Sequence, residues 1–187
     1  MNKETRSITK EEYIEIIETL RSGFLNRKPN PRVAMALILE GNLGIRISDI
    51  VKLTLNDIVK DGERYRLNII EKKTGKERKF IVANELVQFI KQYCIDNNIK
   101  SNERIIPITE RAVQLQLDFA CDYLGLKDIS THSFRKFFSD NIYYNNGENL
   151  RIVQEALQHS SITTTQRYLK VSSKQLEKAL LNSLNII

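Results

Sequence analysis

Residues 57–82, DIVKDGERYRLNIIEKKTGKERKFIV, decide the fold that this sequence predicts. Apolar and polar residues alternate over 65–69, and a short apolar run follows at 80–82, as expected for half-buried strands. Asp-Gly at 61–62 and Thr-Gly at 74–75 stand between these runs, and both dipeptides favour tight hairpin turns. We therefore predict a three-stranded antiparallel sheet across this stretch.

The sequence on either side of this sheet has the period of amphipathic helices. Thr9 and Glu12 form a capping box ahead of the first helix, and the stretch 33–39 is apolar on nearly all sides, as in a central buried helix. Further helices are predicted near residues 86–94, 113–124, 134–145, 150–157 and 174–184. Because no repeat or long linker divides residues 1–187, the predicted fold is a single, mainly helical domain with a small antiparallel sheet, in the α+β class.

The composition favours a soluble protein that binds a polyanion. Lys and Arg exceed Asp and Glu by a formal net charge of +6, and such an excess favours contact with phosphates. No apolar segment is long enough to span a bilayer and no secretory signal opens the chain, so we expect a cytoplasmic location without a membrane. Cys94 and Cys121 lie far apart without metal-ligand spacing, which favours reduced thiols in the core, and we predict neither a metal site nor a cofactor.

Four short segments hold the residues that could do chemistry: GIRISDIVKL (44–53), KTGKER (73–78), HSFR (132–135) and LQHSSITTTQRYLKV (157–171). Each segment alone has an ordinary interpretation, because surface arginines and lysines are usually solvated and a tyrosine usually packs. The first segment also predicts a short helix that Ser48 caps and that runs to Leu53. Together the segments contain six candidate catalytic residues in a fixed order: Arg46, Lys73, His132, Arg135, His159 and Tyr168.

This order of residues resembles the active-site signature of the tyrosine recombinases, a family that includes phage integrases, Cre-like enzymes and Xer chromosome-dimer resolvases. GIRISDI is similar to the family's Gly-Leu-Arg-hydrophobic-Ser-acidic motif, and LQHSSITTTQRY is similar to its Leu-Gly-His-Ser motif followed by tyrosine. Asp49 takes the acidic position; it is expected either to orient a basic residue of the site or to be a simple charge at the start of the short helix. The resemblance implies the catalytic-domain fold of DNA breaking–rejoining enzymes, which act without metal or ATP.

The resemblance implies that Tyr168 attacks a DNA phosphodiester and forms a 3′-phosphotyrosine bond, which keeps the bond energy for rejoining. A tyrosine hydroxyl has a reference pKa of about 10, so neighbouring cations would favour its reactive phenolate. Arg46 and Arg135 would bind the two non-bridging phosphate oxygens, because a planar guanidinium fork suits phosphate and stays charged. The implied reaction is site-specific recombination, as in integration or excision of mobile elements or in DNA inversion.

The other candidates would hold or move protons. The resemblance implies that His132 acts as acid and base for the tyrosine proton, that His159 donates a hydrogen bond to the phosphate, and that Lys73 protonates the leaving 5′ oxygen. Lys72 and Lys76 flank Lys73, so the hairpin offers three lysines for that last role. The match of KTGKER to the family's turn pattern favours Lys73.

The two ends of the chain carry expectations about assembly. The segment 171–187 predicts a tail helix, which either packs on its own domain or docks on a neighbouring protomer. We expect that the chain lacks the separate N-terminal domain with which most integrases grip DNA, and that it is either an excised catalytic fragment or a naturally short recombinase. The expected partner is double-stranded DNA, bound by a homotetramer on two DNA sites that is a monomer or weak oligomer without DNA. The expected source is prokaryotic or phage-encoded, with the protein associated with the nucleoid.

Two other functions fit parts of the sequence. A type IB topoisomerase shares the tyrosine chemistry but relaxes supercoils without strand exchange, and the Gly-Ile-Arg motif and the short chain favour a recombinase over it. A non-catalytic DNA-binding regulator would fit the basic charge and a helix-turn-helix near residues 48–53, but it has no use for two histidines, two arginines and Tyr168 in this order. Site-specific recombination is therefore the predicted function.

Overall fold

The computed structural model describes residues 5–158, so the predicted tail helix, His159 and Tyr168 lie outside the described residues. The described part contains seven α-helices and one sheet of three strands. The helices are α1 (Lys10–Ser22), α2 (Pro31–Leu43), α3 (Ile47–Ile50), α4 (Asn84–Asp96), α5 (Glu110–Leu124), α6 (Thr131–Asn145) and α7 (Leu150–Leu157). The strands are β1 (Ile58–Asp61), β2 (Arg64–Ile70) and β3 (Glu77–Val82). The predicted α+β class is confirmed.

The three strands form one antiparallel sheet in the order β1–β2–β3, as the sequence of 57–82 predicts. Leu67 lies at the centre of this sheet, opposite Ile58 on β1 and Phe80 on β3, and it is fully buried. Burial alternates along β2 and β3 because successive side chains of a strand point to opposite faces. One face of the sheet therefore packs into the domain and the other is solvated.

Helix α2 is the centre of the core, as its apolar sequence predicts. Asn30 caps its first turn and Pro31 takes the first helical position, where a missing N–H costs nothing. Every residue from 33 to 41 is buried, and α1, α5 and α6 pack around this helix. Neither α2 nor another described helix is long and apolar enough to cross a membrane.

Helix α3 differs from the prediction in where it begins and ends. It begins at Ile47 and ends at Ile50, and Ser48 lies inside it rather than at its N-cap. Arg46 occupies the N-cap position without a side-chain cap. The backbone N–H of Ile47 instead donates to the carboxyl group of Glu40 on α2, at 3.1 Å. A side chain from the preceding helix thus satisfies the helix start, which makes the expected serine cap unnecessary.

Both cysteines are core thiols, which confirms the prediction for them. Cys94 is 1% exposed and Cys121 is 4% exposed. Burial, followed by the negative charges of Asp118 and Asp122, raises the pKa of the Cys121 thiol to about 12. This thiol therefore stays protonated and is a poor nucleophile at neutral pH.

Candidate active site

Four of the six candidate catalytic residues lie in the described part of the chain: Arg46, Lys73, His132 and Arg135. Three segments carry them, namely the corner between α2 and α3, the turn between β2 and β3, and the first turns of α6. The carboxyl end of α7 meets these segments and stops just before His159 in the sequence. Hydrogen bonds from buried side chains to backbone carbonyls hold the four segments together.

Arg135 is completely buried, and backbone carbonyls fix its guanidinium. Its Nη1 donates to the carbonyl of Gly44, and its Nη2 donates to the carbonyl of Leu157 at 3.2 Å. Gly44 follows α2 and Leu157 ends α7, so Arg135 ties the start of α6 to the ends of two other helices. His132 lies three residues earlier on α6 and is half-buried. The Arg135 guanidinium is therefore held in one orientation.

Gly44 is required at its position for two independent reasons. Its φ of 58° lies in the left-handed region, where a residue with a Cβ is strained. In addition, a Cβ at this position would lie 2.1 Å from Cδ1 of Phe138 on α6. The glycine of the GIR motif therefore lets α6 approach the end of α2 closely enough for Arg135 to reach the Gly44 carbonyl.

Arg46 is held by a carboxylate and remains partly exposed. Its Nη1 donates to Oε2 of Glu71 at 2.7 Å, and 23% of the Arg46 side chain is exposed, against 2% for Glu71. The hydroxyl of Thr74 donates to the same oxygen at 2.9 Å. Burial acts to raise the pKa of Glu71, but the hydrogen bonds from Arg46 and Thr74 outweigh it, and the net pKa lies below the ordinary value. Glu71 is therefore an ionised partner for Arg46.

Arg78 is a third arginine at this place, and it has no exposed surface. Its Nη1 donates to Oε1 of Glu71 at 3.1 Å and to the carbonyl of Leu157 at 3.2 Å. Its Nη2 donates to the carbonyls of Ala156 at 2.6 Å and Gly44 at 3.4 Å. Burial, followed by the charge of Arg135, lowers the pKa of Arg78 to about 10, so its guanidinium is still charged at neutral pH. Arg78 and Arg135 thus share two backbone acceptors.

The arginine cluster, which we define as Arg46, Arg78 and Arg135, carries a surplus of positive charge. Glu71 is the ionised carboxylate that binds two of its members. Glu40 also feels the charge of Arg135, but complete burial raises its pKa well above the ordinary value and favours its neutral form. Such a surplus in a buried place favours an anion with several oxygen acceptors, and phosphate has this chemistry. Among residues 5–158, no group of three or more His, Cys, Asp or Glu side chains could hold a metal ion.

The β2–β3 turn, residues 71–76, presents Lys73 to solvent. The backbone N–H of Lys72 donates to Oδ1 of the buried Asp49 at 2.9 Å, so Asp49 holds the backbone of the turn beside Lys73. The Nζ of Lys72 pairs with Glu110 on α5 at 3.1 Å. Because the Lys72 ammonium is directed towards α5, this geometry favours Lys73 over Lys72 as the lysine that meets a ligand.

Reasoning from sequence did not single out Glu71 and Arg78, although both carried a signal. Glu71 continues the inward-facing series of Leu67 and Ile69 on β2, and Arg78 opens the inward-facing series of β3. A charged residue in the inward position of a half-buried strand must find a partner, because an unpaired buried charge is costly. The period of two that predicted the sheet could therefore also have predicted this ion pair.

The fold is that of the catalytic domain of tyrosine recombinases. The XerH site-specific recombinase, in a pre-cleavage complex with its difH substrate, superimposes with a TM-score of 0.69 at 20% identity, over 96% of this chain and 55% of that chain. The model of the phage integrase family matches residues 6–175. This chain therefore belongs to the phage integrase family.

Two curated relatives agree with this assignment. Tyrosine recombinase XerC of Staphylococcus epidermidis is 33% identical over 151 residues, which cover 75% of this chain and 49% of the relative. Tyrosine recombinase XerC of Staphylococcus carnosus is 30% identical over 184 residues, which cover 92% of this chain and 60% of the relative. The chain thus spans about half to three-fifths of the length of these relatives.

Proposed function

We propose that this chain is the catalytic part of a site-specific DNA recombinase that cleaves and rejoins strands through a 3′-phosphotyrosine intermediate on Tyr168. The observation that carries the proposal is the arginine cluster, in which Arg135 is rigidly held and Arg46 is paired on one side and partly exposed. This is what a phosphodiester requires of a binding site. Membership of the phage integrase family supports the same reaction.

Arg46 and Arg135 would neutralise the charge that develops on the phosphate. Each guanidinium has five N–H donors, so Arg46 can keep its bond to Glu71 and still bind a non-bridging oxygen. The pentavalent transition state carries one more negative charge than the ground state, so a fixed positive cluster stabilises it more. Loss of one such donor typically costs about 100- to 1,000-fold in rate.

Proton transfer would fall to His132 and Lys73. The Tyr168 hydroxyl attacks phosphorus, a Tyr–phosphorus bond forms, and the bond from phosphorus to the 5′ oxygen breaks. His132 would take the tyrosine proton, and Lys73 would give a proton to the 5′ oxygen that leaves. His159 would donate a hydrogen bond to the phosphate. Rejoining reverses each transfer, so no cofactor or external energy is consumed.

The assembly follows the same proposal. Double-stranded DNA would be the substrate, as the difH substrate is for the XerH recombinase. A homotetramer on two DNA sites would perform strand exchange, with the segment 171–187 docked on a neighbouring protomer or folded on its own domain. In a cell the protein would act in the cytoplasm, where chromosomal, phage or mobile-element DNA is available to a prokaryotic recombinase.

A covalent-capture selection tests the proposal. The full chain is incubated with duplexes that have a random central segment and a nick in one strand, so that a short 5′-hydroxyl fragment diffuses away after attack. DNA that remains attached to protein in denaturing detergent is recovered, amplified and selected again. The enriched duplex is then tested for adduct formation on a denaturing gel. We expect an adduct with the wild type and none with Tyr168→Phe.

The same experiment separates the competing functions. A DNA-binding regulator would retard the duplex on a native gel but would form no adduct. A type IB topoisomerase would form adducts without sequence enrichment and would relax a supercoiled plasmid. Absence of any wild-type adduct, or an adduct that survives Tyr168→Phe, would refute the proposed recombinase.

A further inference from the structure

Glu71 and Arg78 are charged, buried residues of the site that bind each other, and the six-residue signature contains neither of them. Resting on the proposed function, we propose that Glu71, braced by Arg78, is a positioning residue that sets the Arg46 guanidinium in place for the scissile phosphate. Neither Glu71 nor Arg78 would touch DNA. Both would act through Arg46.

Both carboxylate oxygens of Glu71 accept hydrogen bonds from side chains. Oε2 accepts from Arg46 at 2.7 Å and from Thr74 at 2.9 Å, while Oε1 accepts from Arg78 at 3.1 Å. With both oxygens occupied, the carboxylate cannot rotate without losing a charge-assisted hydrogen bond. Because the Glu71 side chain is 2% exposed, water is a poor replacement for any of these partners. One edge of the Arg46 guanidinium is thereby fixed, while the side chain as a whole remains 23% exposed.

Arg78 connects the Glu71 carboxylate to the rest of the domain. Besides Glu71, it binds the carbonyls of Gly44, Ala156 and Leu157, which belong to the ends of α2 and α7. The ring of Phe80 supports its guanidinium, with 5.0 Å between the guanidinium carbon and the ring centre. Through Glu71 and Arg78, the position of Arg46 thus depends on the same carbonyls that hold Arg135. One set of backbone groups therefore positions both of the arginines that are proposed to bind the phosphate.

Electrostatics explains why this place needs a carboxylate that is kept away from the ligand. Without Glu71, three guanidinium groups would lie together, and their repulsion would drive the partly exposed Arg46 outwards into solvent. A carboxylate in direct contact with DNA would instead repel the phosphate. Burial of Glu71 on the inner side of Arg46 provides the attraction without that cost.

A double-mutant cycle tests the inference, with the full chain and the duplex enriched by covalent capture. The rate constant of adduct formation is measured at saturating DNA for wild type, Glu71→Gln, Arg46→Lys and the double variant. Glu71→Gln keeps the shape of the side chain but removes its charge, and we expect it to slow adduct formation about 10- to 100-fold, the usual effect of misplacing a catalytic group by an ångström. The DNA dissociation constant should change by no more than about twofold, which is the scale of independent sites.

The cycle distinguishes positioning from general structural damage. A lysine cannot bind Glu71 and phosphate as a fork does, so Glu71→Gln should cost less than about threefold in the Arg46→Lys background, which is strong non-additivity. Equal slowing by Glu71→Gln in both backgrounds would overturn the inference. Glu77→Gln is the matched control, because this glutamate lies on the same hairpin, is 57% exposed and pairs with Lys79. It should leave the rate unchanged.

A second variant guards against a folding defect in Glu71→Gln. Thr74→Val removes the hydroxyl that donates to Glu71 at 2.9 Å and accepts from the backbone N–H of Lys76 at 3.3 Å. The part of its effect that acts through Glu71 should be a smaller slowing of adduct formation, and it should be lost in the Arg46→Lys background. If wild type forms an adduct and Glu71→Gln and Thr74→Val match it, only the positioning role falls. If wild type forms no Tyr168-dependent adduct, the proposed function itself falls.

Discussion

The arginine cluster and the β2–β3 turn both carry residues of the candidate active site, but they are held in opposite ways. Arg78 and Arg135 have no exposed surface and are bound by backbone carbonyls of other helices. Lys73 lies on an exposed turn whose backbone is anchored beside it, through the bond from the Lys72 N–H to Asp49. Two arginines of the cluster are thus held rigidly and Arg46 is held on one side, whereas the turn is fixed only where its backbone is anchored.

The difference matches what the cluster and the turn would each have to do. Stabilisation of a developing charge requires donors that do not reorganise during the reaction, so the cluster gains from being buried. A lysine that protonates a leaving oxygen must reach that oxygen and withdraw again, so a solvated tip with a mobile side chain serves it better. We therefore expect substitutions in the cluster to damage folding and chemistry together, and substitution of the exposed Lys73 to damage chemistry alone.

The largest effect on stability is expected at Gly44. Gly44→Ala adds both a left-handed strain of about 1–2 kcal/mol and an overpacking cost of about 1–3 kcal/mol against Phe138. Urea unfolding measures the sum. Gly125→Ala is the matched control, since Gly125 has a similar φ of 69° but no atom within 4 Å of an added Cβ. Equal destabilisation by the two variants would show that the close approach of Phe138 is unimportant.

Arg135→Lys should have the second largest effect. An ammonium cannot span the carbonyls of Gly44 and Leu157 as the guanidinium does, so we expect a loss of about 1–3 kcal/mol of unfolding free energy, the cost of an unsatisfied buried polar group. Adduct formation with the captured duplex should fall as well. Arg151→Lys, at an arginine that is 84% exposed on α7, should change neither quantity. If the Arg135→Lys protein were as stable as wild type, the two carbonyls would not be needed to hold a guanidinium at this position.

Glu40→Gln should change how stability depends on pH. Burial raises the pKa of Glu40, so between the ordinary value of 4.5 and its folded value the folded state keeps a proton that the unfolded state releases. The contribution of Glu40 is therefore fully present below pH 4.5 and is lost as the pH rises, by up to about 1.4 kcal/mol per pH unit. Glutamine carries no proton to lose, so the unfolding free energy of the variant should rise relative to that of wild type as the pH rises.

Urea unfolding from pH 4 to pH 8, which is about the accessible range, measures this difference. The exposed Glu15 offers a control, and Glu15→Gln should run parallel to wild type. A constant offset between Glu40→Gln and wild type at every pH would contradict the raised pKa of Glu40.

The smallest effect on stability is expected at Lys73. Lys73→Ala should leave the unfolding free energy unchanged, because the side chain is exposed, yet adduct formation should fall sharply. A duplex with sulfur in place of the bridging 5′ oxygen needs no proton on its leaving group, so it should restore the rate. Lys72→Ala is the control on the same turn, and the sulfur-substituted duplex should not reverse any fall in its rate of adduct formation. Failure of sulfur to rescue Lys73→Ala would remove Lys73 from the acid role.

A structural feature of this molecule can be predicted from sequence when the residues that interact lie close together in the chain. The strands of residues 58–82 and the capping box of Thr9 and Glu12 follow from neighbours within a few residues, and both predictions are confirmed. The start of α3 was wrong, since the partner of its first amide is Glu40 on α2. The roles assigned to the six candidate residues stay predictions, and two of those residues lie beyond the described part.

The supports of the cluster were beyond sequence reasoning for a different reason. Arg135 lies 91 residues from Gly44, and Arg78 lies 79 residues from Leu157. The acceptors at both ends are peptide carbonyls, which every residue possesses, so no residue type marks them. Only the inward positions of Glu71 after β2 and Arg78 on β3 could have indicated that partners were needed.

The carbonyls that hold the buried arginines belong to the carboxyl ends of α2 and α7. Helix ends of this polarity carry a partial negative charge of about half an electron, because the peptide dipoles align along the axis. Two macrodipoles therefore converge on the guanidinium groups and stabilise them without adding a titratable anion. Peptide dipoles do not change with pH. The stabilisation that these two helix ends give to the guanidinium groups should thus be constant over the physiological range, in contrast to the contribution of the titratable Glu40.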